Sequence, residues 1–64
     1  MMTRAGIEIE HGQVWSTDEM VMDFEVIGFL APFCDVIRKS DGMRGTLEFQ
    51  HSPRLYFRFV ASGR

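Results

Sequence analysis

The stretch from Phe33 to Val60, FCDVIRKSDGMRGTLEFQHSPRLYFRFV, limits the fold more than any other part of the chain. It holds three short apolar runs separated by two compact turn signals. Asp41-Gly42 favours a tight hairpin, because a type I′ turn needs positive φ at both central residues. A two-residue loop there pairs Val36 with Leu47 and Cys34 with Phe49. All four then share one sheet face, and a slip of one residue would scatter them. The same register sets Asp35 opposite Glu48, an unfavourable like-charge pair unless a basic group stands nearby. At the second turn, His51-Ser52-Pro53-Arg54, an odd loop aligns Leu55, Phe57 and Phe59 with Leu47 and Phe49, whereas an even loop would turn Arg58 to the apolar face. The odd loop is therefore expected, with Arg58 beside the two carboxylates. The expected strands run over about 33–39, 44–50 and 55–60 as an antiparallel meander.

Upstream, Ser16-Thr17-Asp18-Glu19 matches a capping box, in which the Ser16 hydroxyl and the Glu19 carboxylate satisfy each other's backbone N–H groups. Trp15, just before the cap, is placed to staple against Met20 or Val21. A helix is expected over about 17–27, with Met20, Phe24 and Ile27 as its apolar stripe and Gly28 as its stop. Phe29 to Pro32 reads as a connector. Ile7-Glu8-Ile9-Glu10 alternates, which points to an N-terminal edge strand over 7–10. Whether 7–15 makes one kinked strand or two stays open. The fold class is thus α+β, one helix packed on a small antiparallel sheet. The helix covers the face bearing Cys34, Val36, Leu47, Phe49, Leu55, Phe57 and Phe59. The other face bears Phe33, Asp35, Ile37, Thr46, Glu48, Gln50, Tyr56, Arg58 and Val60.

A chain of 64 residues makes one domain, 1–64. A domain this small buries only about 60% of the surface its unfolded chain exposes, and its core rarely supplies more than roughly 3–5 kcal/mol without a staple. Cys34 is the only cysteine, so no internal disulfide can form. One Cys with His11 and His51 fits no metal-ligand spacing, and no cofactor motif is present. Association is the staple that remains. Phe33, Ile37, Tyr56 and Val60 would leave the outer face too apolar for a free monomer. The chain therefore reads as a non-catalytic, homo-oligomeric binding or regulatory module, with Phe33, Ile37, Tyr56, Arg58 and Val60 as its contact residues. Its partner is a second copy or another protein. The lone thiol, the absence of a signal-peptide pattern and the lack of a long apolar run fit a cytoplasmic protein with no membrane contact.

Charge is unevenly spread. Up to Ile37 the chain has one basic residue against seven acidic ones, and from Arg38 onward six basic against two acidic. This supports an alternative, a nucleic-acid binder using Arg38, Lys39, Arg44, Arg54 and Arg58. A second alternative is ligand binding in a cleft between subunits, since so short a chain hardly encloses a pocket alone. Catalysis has little to stand on. Asp35 and Glu48 read as solvated charges, His51-Ser52 as turn residues lacking an orienting third group, and Cys34 as a small core hydrophobe. The glycines of Gly42-Met43-Arg44-Gly45 lie in a hairpin, not between a strand and a helix as a phosphate loop requires.

The runs DFEVIGFLAPF (Asp23–Phe33), RKSDGMRGTLEF (Arg38–Phe49) and HSPRLYF (His51–Phe57) resemble short bacterial proteins of the kind carried by mobile gene cassettes. The resemblance implies a compact, self-contained accessory protein. It implies no activity and supplies no catalytic residues.

Overall fold

The computed structural model describes residues 3–62. In order, the elements are α1 (Arg4–His11), β1 (Val14–Ser16), α2 (Thr17–Asp23), β2 (Phe24–Leu30), β3 (Phe33–Arg38), β4 (Arg44–Gln50) and β5 (Leu55–Ala61). The five strands form one antiparallel sheet in the order β1-β5-β4-β3-β2. The α+β architecture and the β3-β4-β5 meander are as expected. One helix was expected and two are found, part of the expected helix is strand β2, and both hairpin connections differ from expectation.

The strand expected over 7–10 is a helix. Thr3 caps it by accepting the Gly6 N–H at 3.2 Å, and Gly12, at φ 81°, stops it while donating to the Glu8 carbonyl. Ile7 is fully buried and Ile9 is 85% exposed. A strand would have put both on one face; a helix sets them apart. The alternation was thus a coincidence with one apolar position that matters.

The second helix is shorter than expected. Its capping box forms, with Glu19 N–H on the Ser16 hydroxyl at 3.2 Å and Ser16 N–H on the Glu19 carboxylate at 2.9 Å. Trp15 and Met20 pack in the same cluster, as the staple requires. The helix stops at Asp23, and Phe24 begins a strand. Phe24 and Val26 point into the core from β2 rather than from a helix, and Ile27 is exposed at a bulge. Met20, Phe24 and Ile27 satisfy a helical period, but Phe24-Glu25-Val26 also satisfies period two. Pairing with β3 and the β-branched and aromatic content of this run decide for the strand.

The β3–β4 register pairs Cys34 with Leu47 and Val36 with Gly45. This is a two-residue shift from expectation. The loop spans 39–42, because Arg38 N–H bonds to the Met43 carbonyl and Gly42 N–H to the Arg38 carbonyl. A shift of two preserves the faces, so Cys34, Val36, Leu47 and Phe49 remain together.

The β4–β5 connection is even, not odd, with Gln50 opposite Leu55 and Phe49 opposite Tyr56. The difficulty with Arg58 is resolved by a bulge. The register changes between Glu48–Phe57 and Thr46–Val60, and Arg58 takes φ 58°. Phe59 thereby returns to the face of Tyr56, where its ring lies on the Gly45 backbone. The consequence is two cores. Trp15, Met20, Phe24, Cys34, Val36, Leu47, Phe49 and Tyr56 pack under α2. Ile7, Val14, Leu55 and Phe57 pack under α1 on the opposite face.

Candidate functional site

Helix α1 packs on β1 and β5, and its Arg4 reaches Glu19 of α2 at 2.8 Å. The rest of its sheet face, over β2, β3 and β4, is covered by no other element among the described residues. Leu30 (81% exposed), Phe33 (46%) and Val60 (52%) stand on it, with Ile37 half-buried at the far end of β3. Two ion pairs share this surface: Arg44–Asp35 at 2.9 Å and Arg58–Glu48 at 3.4 Å. The basic neighbour expected for Asp35 and Glu48 is therefore present, and it is one arginine each. Of the five expected contact residues, Phe33, Ile37, Arg58 and Val60 lie on or at the edge of this face. Tyr56 does not; it is 2% exposed on the opposite face, because the even β4–β5 loop inverts it. Leu30 was missed, since its segment read as a connector. Its pairing with Phe33 places it here.

The basic residues are dispersed. Arg38 makes a two-point contact with Asp41, at 3.1 and 2.7 Å, and its guanidinium lies 4.9 Å from the Phe59 ring centre. This pairing, with the Met43 N–H, holds the Asp41 carboxyl down at about 2. Arg54 lies over Phe29, Phe49 and Tyr56, 4.6 Å from the Phe49 ring centre. Lys39 donates to the Val21 carbonyl at 2.8 Å, and among the described residues it belongs to no ion pair.

The other candidate chemistry is accounted for by packing. Cys34 is fully buried, and burial pushes its thiol pKa up, which keeps it protonated. His51 sits edge-on to Phe49, and His11 stacks on Phe57 with ring centres 5.1 Å apart. Among the described residues no three His, Cys, Asp or Glu side chains gather as a metal-binding group, and no helix is long and apolar enough to cross a membrane.

On the α2 side of the sheet a cleft of about 540 Å³ opens between the end of α2, β1, the start of β2, the β3–β4 loop and β5. Trp15, Phe24 and Phe59 wall it, and Met22, Asp23, Arg38 and Lys39 stand around it. The rings pack in sequence, Trp15 edge-on to Phe24 and Phe24 tilted against Phe59, each pair 5.2 Å between centres. Asp23 accepts the Trp15 indole N–H at 2.9 Å, and its backbone carbonyl accepts the Lys39 N–H at 2.8 Å. The sequence hid this cleft because its walls come from five segments.

No family model, curated protein or solved structure matches the chain.

Proposed function

We propose that the chain is a non-catalytic binding module that associates with copies of itself through the bare part of the α1-side sheet face and the adjoining β2 edge. The observation that carries the reading is the adjacent exposed pair Leu30 and Phe33 beside the β2 edge, with Val60 two strands away on the same face beyond the Arg44–Asp35 and Arg58–Glu48 pairs. Large apolar side chains left exposed next to an open sheet edge are what an interface buries. The β2 edge supports a second copy as the occupant. It is an outer strand of the sheet, and its outward N–H and C=O groups form a template for another strand. It carries no Lys and no Pro, and Glu25 is its only charge. An antiparallel pairing about a two-fold near Gly28 would keep the two Glu25 carboxylates apart and continue the sheet. The opposite edge, β1, has three residues and is flanked by both helices.

Nucleic-acid binding is the weaker reading. Arg38, Arg44 and Arg58 each face a carboxylate, and Arg54 is spread over rings. Multi-angle light scattering at several concentrations tests the proposal. A mass above one chain is expected, falling to one chain in Phe33→Glu and Leu30→Glu, while joint Ala replacement of Arg38 and Lys39, which stand at the cleft on the other side of the sheet, leaves it unchanged. A strictly monomeric wild type at high micromolar concentration would overturn it.

A further inference from the structure

We infer that the cleft beside Trp15 binds a small planar ring bearing an anionic group, with Lys39 as the counter-charge. Its volume, about 540 Å³, lies within the range of small-ligand sites. Three aromatic residues and Met22 provide its apolar lining, which suits a flat ring inserted edgewise.

Charge selects the anion. The chain as a whole carries −2, yet the polar rim of the cleft holds two cations and one carboxylate. The Arg38 charge is balanced by Asp41. The Asp23 carboxylate already receives the Trp15 N–H. Among the described residues the Lys39 ammonium donates to one neutral carbonyl, that of Val21, and faces no carboxylate, which leaves it hydrogens to give a ligand. The loop that carries Lys39 is pinned, through its N–H on the Asp23 carbonyl and through the Arg38–Asp41 pair. The backbone that carries the Lys39 side chain is therefore fixed beside the cleft before a ligand arrives, which lowers the ordering cost of binding. The cleft lies on the sheet face opposite Phe33 and Leu30, so this inference stands apart from self-association.

Trp15 is the only tryptophan and sits in the wall, so its emission reports occupancy directly. Two probes separate the sources of such an anion: adenosine monophosphate for a ring-bearing phosphate, benzoate for an aryl carboxylate. A saturable change in Trp15 emission with at least one of them is expected, and the tighter one names the anion. Lys39→Ala should raise Kd about tenfold or more, the weight of a charged hydrogen bond, and Lys39→Arg should restore most of it. Asp23→Asn keeps an oxygen for the Trp15 N–H and removes a negative charge, so Kd should fall. Leu30→Glu, on the other face, should leave Kd unchanged whatever it does to self-association. Circular dichroism confirms that each variant is folded. The inference is overturned if neither probe gives a saturable response, if uncharged adenosine binds as tightly as its monophosphate and benzoate not at all, or if Lys39→Ala leaves Kd unchanged.

Discussion

Ile7 and Ile9 are chemically identical and two residues apart, yet the fold assigns them opposite weights. Ile7 is sealed between α1 and the Val14, Leu55 and Phe57 side chains, and it is the only buried residue of its helix. Ile7→Ala removes three carbons from a fully buried site, about 2.4 kcal/mol at roughly 0.8 kcal/mol per group. A residual cavity, or exposure of Leu55 and Phe57 if the helix lifts, adds to this. An isolated helix shorter than ~12–15 residues does not hold itself together in water, so α1, Arg4–His11, depends on its tertiary contacts, of which Ile7 is the buried one beside the His11–Phe57 stack and the Arg4 bonds to Val14 and Glu19. The expected total is about 2.5–4 kcal/mol, within the range for core truncations and comparable to the whole margin of so small a domain. Ile9→Ala, at an 85% exposed position, should change stability by less than ~0.5 kcal/mol, with a slight gain from helix propensity. Urea unfolding followed by Trp15 emission measures both, and the melting temperature of Ile7→Ala should fall by tens of degrees, at about 4–8 °C per kcal/mol. If residues 7–10 were a strand, both isoleucines would share a face and cost alike. Equal losses, or a larger loss for Ile9→Ala, would refute the helix and the second core with it.

The remaining predictions concern single contacts. Gly45→Ala would drive a Cβ to 2.7 Å from the Phe59 ring and into the Val60 carbonyl, a backbone atom that cannot swing away; a loss of about 1–3 kcal/mol is expected by denaturant titration. Gly28→Ala meets nothing within 4 Å and should be neutral or slightly stabilising in the same assay. Ser16→Ala removes the acceptor for the Glu19 N–H and should cost about 1 kcal/mol. Asp41 is held at about 2 by Arg38 and then by the Met43 N–H, below the ~3.9 of an unfolded aspartate. Its contribution is therefore present above pH ~4 and is lost as pH falls toward 2; the amide signals of the β3–β4 loop, followed by NMR, should shift over that window in the wild type and not in Asp41→Asn.

Strong local chemistry was legible in the residues. The Ser16–Glu19 box could be read outright because both partners lie within one turn. The faces of β3 and β4 survived an error in loop length because a two-residue shift returns each side chain to its own side. The bare apolar surface was legible through Phe33, Ile37 and Val60, whose strands were recognised. Leu30 and Tyr56 were misplaced for one reason: each depends on a neighbouring strand whose pairing no local pattern specifies.

What the order of residues settles here is short-range: caps, strand periodicity, the lack of a disulfide and the scarcity of core. What folding settles is competition between segments. Phe24–Leu30 fits a helix or a strand about equally on its own, and the exposed side of β3 claims it as a strand. The even loop at 51–54 is tolerable only because Arg58 adopts a left-handed backbone and lets Phe59 turn back to its core. Both outcomes turn on contacts between residues distant in the chain, and their free energies exist only once the partners have met.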